Sequence, residues 1–328
     1  MSRALKQKKV GLILAGGRSQ RLFPLNYPKS LLKIRGQTLL DQAMVKLKGF
    51  EIRIVTTLWG AREIRKAYQG KELPKFIIEP ESRNTGPAIG FAIKKIKKLS
   101  PKFIAIVSAD HFSVSNLKGY SKLFHRMEAQ CQLHPKDLVI VGSKARPRNS
   151  SEGSSFGWII PTSKSNPSRV REFIEKPEKH VLRRLRRQSG LINSGIFCGS
   201  FEAFEQAYAD HFPMAVEGSV KKYAKLPELS FDIAILEKYS AVRVIRSSLD
   251  WSDLGTWTVL MRFLPPLSIS GDSKSNYFWQ SPYEAQIESC ILGLENICIL
   301  KSGKRLLIAH KNAFSNIRSL ASRMEKKN

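Results

Sequence analysis

The chain is notable first for what it is short of. Its 328 residues include only four cysteines (Cys131, Cys198, Cys290, Cys298) and six scattered histidines. No C-x-x-C pair and no metal-ligand spacing occurs, so a disulfide framework and a structural zinc are not expected; the reading is a reducing, cytoplasmic setting. No apolar run is long enough to span a bilayer. The start, Met-Ser-Arg-Ala-Leu-Lys-Gln-Lys-Lys, leads toward the first strand without a signal-peptide core, so no membrane association is expected. Acidic residues are scarce as well: 27 Asp+Glu against 55 Lys+Arg leave a formal charge of +28.

Such a charge would draw nucleic acid, anionic lipid or polyanionic substrates. The densest runs, Lys94-Lys95-Ile96-Lys97-Lys98 and Arg183-Arg184-Leu185-Arg186-Arg187, keep their apolar residues at helical spacing. They read as solvated helix faces, and no nucleic-acid signature accompanies them, so nucleic acid is not an expected partner. With 42% hydrophobic and 25% charged residues the composition is that of a globular protein. The length suits one large domain with an appendage, or two ordinary domains.

Short β-type runs at Val10–Leu14, Ile52–Thr57, Phe76–Glu79, Phe103–Ser108 and Leu138–Gly142 alternate with helical patterns at Leu39–Leu47, Arg62–Tyr68, Thr85–Leu99 and Leu117–Leu133. That alternation predicts an α/β fold: a doubly wound, mostly parallel, Rossmann-like sheet whose ligands meet its carboxyl edge. Further strands are expected around Phe156–Ile160, Val170–Glu175 and Leu191–Phe197. Helices are expected near Phe201–His211 and Phe231–Lys238 and from Trp257 to Phe263. Pro265-Pro266 and Ser268–Ser275 suggest a boundary, giving a catalytic domain over 1–265 and a small β-rich segment over 266–328. Runs at Ala285–Leu292, Ile297–Leu300 and Leu306–Ile308 are the expected strands of that segment.

The chemistry starts at Leu12-Ile-Leu-Ala-Gly16-Gly17-Arg-Ser-Gln-Arg21-Leu-Phe-Pro, followed by Pro28-Lys29. A buried strand opens into glycines and then cations, which suits the phosphates of a nucleotide as well as it suits a tight turn. Asp110 follows an apolar strand and Asp253 sits in Trp251-Ser-Asp253-Leu-Gly-Thr-Trp257. The pair could share a Mg²⁺ with phosphate oxygens, or each could serve as a turn or helix-cap residue, Asp253 before a helix at Leu254. Phe173-Ile-Glu175-Lys176-Pro177 puts an acid and a base at a strand tip, which suits an exposed salt-bridged turn or, with Lys on a phosphate and Glu on sugar hydroxyls, a ligand site. Asn193-Ser-Gly195 offers an amide that both donates and accepts. In Glu79-Pro-Glu81-Ser-Arg83-Asn84-Thr85-Gly-Pro87, Asn84 or Thr85 is a candidate N-cap, and Glu79 or Glu81 could accept from a guanine edge.

Taken in order, G-G-x-x-x-R with P-K, E-x-x-x-R-N-T-x-P-A, S-A-D-H, F-x-E-K-P, N-S-G-I-F, S-F-D-x-A-I-x-E-K and W-S-D-L-G-T-W resemble the sugar nucleotidyltransferases. Within them the chain is most similar to the mannose-1-phosphate guanylyltransferases. The R-N-T-x-P-A element is what sets this guanylyl branch apart from its thymidylyl and uridylyl relatives. The resemblance covers roughly residues 9–263. It continues more loosely through Ile291-Leu-Gly-Leu-Glu-Asn-Ile and Arg305-Leu-Leu-Ile-Ala.

It implies transfer of GMP from GTP to mannose 1-phosphate, giving GDP-mannose and pyrophosphate with Mg²⁺. Carried over, Leu14, Ala15, Gly16 and Gly17 line the nucleotide. Arg21 holds the β- and γ-phosphates, and Lys29 neutralises charge near the α-phosphate. Glu79, Arg83, Asn84 and Thr85 meet guanine, and Asp110 and Asp253 hold the metal. Gly157, Glu175, Lys176 and Asn193 take the sugar phosphate, with Arg21, Lys29 and Lys176 as the catalytic cations. The chain departs from the family loop in carrying Ser19 and Gln20 where a second glycine and a threonine are usual. Its Arg21-to-Lys29 spacing is also shorter. A homodimer is compatible with this reading. Two alternatives stay open: another sugar-1-phosphate nucleotidyltransferase, such as one joining dTTP to glucose 1-phosphate, or a nucleotide-binding regulator without turnover.

Overall fold

The computed structural model describes residues 8–17, 20–114, 117–144, 153–217, 220–264, 270–271, 275–287 and 290–325. Arg18 and Ser19 of the glycine loop, the 145–152 stretch, the Pro265-Pro266 boundary and Glu288-Ser289 lie outside them. A nine-stranded sheet runs in the order Lys75–Glu79, Glu51–Thr57, Lys9–Leu14, Phe103–Ser108, Leu191–Gly199, Leu138–Lys144, Val242–Ser247, Ser168–Ile174, Trp158–Pro161. The first four strands are parallel, Leu14 lying beside both Val55 and Ser108 and Thr57 beside Glu79. Their carboxyl ends therefore share one edge, which brings the segments after Leu14, Glu79 and Ser108 together. The second half is mixed. Leu191–Gly199 runs antiparallel to both Phe103–Ser108 and Leu138–Lys144, and Val242–Ser247 runs parallel to the latter.

Alternation along the strands divides the apolar residues between two cores. From Lys9–Leu14, Val10 and Leu12 join Ile89, Phe204, Tyr208 and Phe231 on one face, whereas Ile13 joins Leu39, Leu40, Phe124 and Met127 on the other. Helices cover both faces, and several have strong start signals. Leu39–Lys46 opens with a capping box in which the Asp41 amide donates to Thr38 Oγ1 (2.9 Å) and the Thr38 amide donates to Asp41 Oδ2 (2.9 Å). Phe201–His211 is capped by Ser200. Each such cap contributes about 1 kcal/mol and fixes where the helix leaves its strand.

Several elements differ from expectation; in the tail the expected strand Ala285–Leu292 is reduced, among the described residues, to Cys290–Ile291, and Tyr277–Gln280 takes its place beside Ile297–Ser302. Val242–Ser247 is an internal strand that the pattern Val-Arg-Val-Ile-Arg-Ser concealed, its buried Val242, Val244 and Ile245 being broken by arginines. The expected helix at Phe231–Lys238 is a single π-helical turn, Asp232–Leu236, closed by the Glu237 amide on Asp232 O (2.9 Å). Asp253 caps no helix: it ends the short strand Trp251–Asp253, and the next helix, Trp257–Leu260, starts after Thr256.

The last part of the chain forms a three-stranded sheet. Tyr277–Gln280 is parallel to Ile297–Ser302, which pairs antiparallel with Arg305–His310, and the helix Ile317–Glu325 follows. Its buried Tyr277, Trp279, Leu300, Leu307 and Ile317 share one apolar cluster with Leu22, Phe23, Leu31 and Trp257 of the larger part.

Candidate active site

The two glycines after the first strand are needed for different reasons. Gly17 has φ +97°, a left-handed turn with open space around it. Gly16 instead makes room for a neighbour: a Cβ there would stand 2.6 Å from Glu79 Oε1. Glu79 is buried at the end of its strand, and its Oε2 accepts from the Tyr223 hydroxyl (2.8 Å). Burial pushes its carboxyl up to about 7, against the pull of that hydrogen bond. Glu79 therefore lies under the glycine loop, with Ala15 anchored beside it by Thr56 Oγ1 on its carbonyl (2.9 Å).

Beyond Glu79, Arg83 pairs with Glu81 (2.8 Å) and Glu228 (3.6 Å). Asn84, at φ +70°, caps Thr85–Ile96 by accepting from the Thr85 amide (2.8 Å). Thr85 Oγ1 accepts from the Phe231 amide (2.8 Å), and the Gly86 amide donates to Leu229 O (2.9 Å). The R-N-T and S-F-D motifs, 146 residues apart, are thus hydrogen-bonded to each other.

The floor of the site is a three-charge contact. Trp251–Asp253 pairs antiparallel with His111–Ser113, placing Asp253 opposite His111 and so beside Asp110. Between the two carboxylates sits the buried Lys29, its Nζ 3.0 Å from Asp110 Oδ2 and 3.4 Å from Asp253 Oδ1. Desolvation works against the Asp110 charge. The Lys29 ammonium, His111 and the Ser108 hydroxyl outweigh it and hold that carboxyl well below the usual range. Two carboxylates that already converge on one cation form a hard-oxygen donor set. Mg²⁺ is commonly held by one or two carboxylates completed by substrate phosphates, so these residues fit it. Among the described residues no three Asp, Glu, His or Cys side chains gather into an all-protein metal cage. Arg21 lies exposed on the turn Gln20–Leu22, and it pairs with no carboxylate among the described residues.

The opposite wall is built by three strands. Trp158 pairs with both Ile174 and Ile192, which packs Gly157, Glu175 and Asn193 together. A Cβ on Gly157 would stand 2.7 Å from Glu175 Oε2, and the Asn193 amide donates to Gly157 O (2.8 Å). Lys176, at φ +47° and 62% exposed along its side chain, reaches Glu175 Oε1 (2.9 Å). The Asn193 side chain is locked in one orientation: Nδ2 donates to Asp232 Oδ1 (2.7 Å), and Oδ1 accepts from the Gly195 amide (3.1 Å). Burial, with the Glu175 carboxylate next in weight, pushes Asp232 up to about 7.

Floor and wall are joined by residues that were assigned no role from sequence. His111 stacks on Trp251 (4.8 Å, 18°), and Trp251 meets Phe156 edge-on (5.7 Å). At Gly195 (φ +68°) an added Cβ would strike the His111 ring at 2.8 Å. Lys46 lies buried behind them and donates to His111 O (2.5 Å). Burial brings its ammonium down to about 8, Asp110 acting the other way. A signal for Lys46 was available: it falls on the apolar stripe of Leu39, Ala43 and Leu47, where a lysine needs an internal partner. Asp232 lay within the S-F-D-x-A-I-x-E-K motif, but the π turn that carries it, a feature frequent at functional positions, is visible only in three dimensions.

The nucleotidyl transferase profile matches residues 10–266. Among curated proteins the chain is 26% identical to the alginate biosynthesis protein AlgA of Pseudomonas fluorescens, over 95% of this chain and 71% of that one. It is 23% identical to a mannose-1-phosphate guanylyltransferase of Klebsiella pneumoniae, over 94% and 72%. Among solved structures it superposes on a Thermus thermophilus protein described as a mannose-1-phosphate geranyltransferase. The TM-score there is 0.78 and the identity 22%, over 97% and 99% of the two chains, which establishes a shared fold. With a loop–strand-end site of this build and a profile spanning most of its length, the chain belongs to the nucleotidyl transferase family.

Proposed function

We propose that the protein transfers GMP from GTP to mannose 1-phosphate, releasing pyrophosphate and GDP-mannose. The reading is carried by one observation: Lys29 draws Asp110 and Asp253 into a single contact at the strand ends, with the Glu175–Lys176–Asn193 wall joined to it through His111 and Trp251. Relatives named for mannose-1-phosphate guanylyl transfer, aligned along nearly the whole chain, support the choice of substrates.

An oxygen of the sugar phosphate attacks the α-phosphorus of GTP in line. The bond to the β-phosphate oxygen breaks, and pyrophosphate departs with that electron pair. The nucleophile is already anionic at neutral pH, so no general base is required; the obstacle is repulsion between two polyanions. Lys29, fixed in place, would face the α-phosphate. Arg21, free of carboxylate partners among the described residues, would reach the outer phosphates. Lys176 would meet the incoming sugar phosphate, with Glu175 and Asn193 accepting from and donating to its hydroxyls. Leu14, Ala15, Gly16 and Gly17 would line the nucleotide, and Glu79, Arg83, Asn84 and Thr85 would lie on its base side. A Mg²⁺ held by Asp110 and Asp253 would supply further positive charge against the phosphates.

The test is direct. Purified protein, Mg²⁺, GTP and mannose 1-phosphate should yield GDP-mannose and stoichiometric pyrophosphate, with dTTP or UTP and glucose 1-phosphate much poorer. Preference for dTTP and glucose 1-phosphate would overturn the assignment of substrates. Nucleotide binding with no pyrophosphate from any pair would overturn catalysis itself.

A further inference from the structure

The loop that carries Arg21 and Lys29 does not hold itself in place. Its own bonds are short turns, from the Phe23 amide to Gln20 O (3.3 Å), the Leu25 amide to Leu22 O (2.9 Å) and the Leu32 amide to Lys29 O (2.9 Å). Polar groups of Phe23, Asn26 and Leu31 are met by residues more than two hundred positions away. The Tyr283 hydroxyl donates to Leu31 O (2.7 Å), two residues past Lys29 and within the same turn, Lys29–Leu31. The Tyr283 ring stands edge-on to Tyr27 (5.1 Å, 81°), and Lys33 Nζ lies 4.8 Å from its centre. Midway between Arg21 and Lys29, Asn26 is held twice: the buried Ser302 hydroxyl donates to Asn26 Oδ1 (2.6 Å) and accepts from the Asn26 amide (3.3 Å). Glu284 accepts from Lys301 (2.9 Å) and from the Gly303 amide, tying Tyr283 to the hairpin that carries Ser302.

The same segment reaches the other side of the floor. Trp279 packs on Trp257 (4.9 Å), four residues past Asp253, and Trp257 Nε1 donates to Phe23 O (2.8 Å). Arg305 lies over the Phe23 ring (5.9 Å), and the helix Ile317–Glu325 packs on Gln20–Leu22. From the tail, therefore, one chain of contacts runs through Leu31 to Lys29 and a second through Trp257 toward Asp253.

We infer that residues 279–287 and 290–305 brace the cation loop for catalysis, with Tyr283 and Ser302 as positioning residues that set Lys29 between Asp110 and Asp253. A cation held to tenths of an ångström stabilises a transition state far better than one that must be reorganised during the reaction, and this bracing lets a loop with little regular structure achieve that. The kinetic part rests on the nucleotidyl-transfer reading; the bracing does not.

The test uses the full-length chain with the hydroxyl deletions Tyr283→Phe and Ser302→Ala, singly and together, none of which removes apolar packing. Hydrogen exchange is followed at amides 20–32 and at the strand Phe103–Ser108, beside pyrophosphate release with GTP and mannose 1-phosphate. Each deletion should speed exchange in the loop by about fivefold, the usual scale for one hydrogen bond, and leave the strand unchanged. The double variant should lose about tenfold or more in kcat while KM for mannose 1-phosphate stays as it was. Unchanged loop exchange in the double variant overturns the brace, and so does acceleration spread evenly over loop and strand, which would mark ordinary packing. Faster loop exchange with unaltered kcat overturns the positioning of Lys29. Should the unmodified protein release no pyrophosphate, the exchange results still decide the bracing, and the failure belongs to the proposed reaction.

Discussion

The two lysines nearest the proposed chemistry are held in opposite ways. Lys29 is buried, its Nζ shared between two carboxylates from distant segments of the chain. Lys176 stands largely in solvent with one carboxylate partner, the neighbouring Glu175. The acids around them divide in the same way. On the floor, Lys29 helps keep Asp110 charged. On the wall, and beneath the glycines, burial instead lifts Asp232 and Glu79 to about 7. The floor is thus a charged, preorganised device, whereas the wall has a mobile cation and acids poised to titrate. A fixed cation suits the phosphate at which bonds change; a mobile one suits an incoming substrate that must enter and leave.

The sharpest way to break this contrast is to empty the floor. Lys29→Ala leaves Asp110 and Asp253 facing each other without their shared cation and should lower kcat by about 10²–10³-fold, the cost of losing a preorganised electrostatic contact. Asp110→Asn and Asp253→Asn should each cost about 10²-fold, with circular dichroism unchanged. Pyrophosphate-release assays check all three, and near-normal turnover in both Asp variants would end the metal assignment.

The buried acids give the next largest effect, read in stability. Glu79 and Asp232 are raised from ordinary values of 4.5 and 3.8 to about 7, so between pH 4 and 7 these two groups bind more protons in the folded protein than in the unfolded chain. Their contribution is complete below about pH 4 and is lost as pH rises through about 7, amounting to about 3 kcal/mol for Glu79. Denaturant unfolding across that range, compared between the parent and variants, isolates this falling component from the opposite contribution of His111, which burial lowers. Glu79→Gln and Asp232→Asn, which imitate the protonated acids, should each remove a falling component and make the slope of stability against pH more positive than in the parent. Equal slopes in all three proteins would mean that these acids are ionised throughout.

How far the sequence revealed this arrangement depended on whether a residue's role is local or made by distant contacts. The first four strands were legible because each is a short apolar run followed by a turn, and Asn84 was legible as a cap because the signal lies within two residues. Val242–Ser247 was not, since its arginines interrupt the apolar pattern and only the flanking strands show it to be internal. In the site, Lys29, Asp110 and Asp253 could be named from motifs, but their mutual contact depends on the pairing of Trp251–Asp253 with His111–Ser113. Asp232 and Tyr223 matter through partners 39 and 144 residues away, a relation no local pattern contains. Gly16 was read as clearance for phosphates; the structure adds that it clears Glu79.

That last point supplies a finer probe beneath the floor. Gly16→Ala drives a methyl group against the Glu79 carboxyl and should destabilise by about 1–3 kcal/mol, the range for overpacking a filled core. It should also raise KM for GTP. Gly17→Ala, in open space, carries only the left-handed strain of about 1–2 kcal/mol. Thermal unfolding compares the two, and equal losses from both variants with no change in KM would separate Gly16 from the nucleotide.

The smallest effect should come from the mobile lysine, and its size is what tests the contrast between the two. Lys176→Ala removes one exposed cation whose single ion pair contributes little to stability, so the melting temperature should not move. KM for mannose 1-phosphate should rise about tenfold, as expected for a lost charge-assisted contact to a phosphate, with kcat much less affected. If kcat instead fell as far as in Lys29→Ala while KM held, Lys176 would act on the transition state, and wall and floor would be two halves of one preorganised device. If neither constant moved, Lys176 would be no more than the partner of Glu175, and the incoming phosphate would have to be met by Arg21.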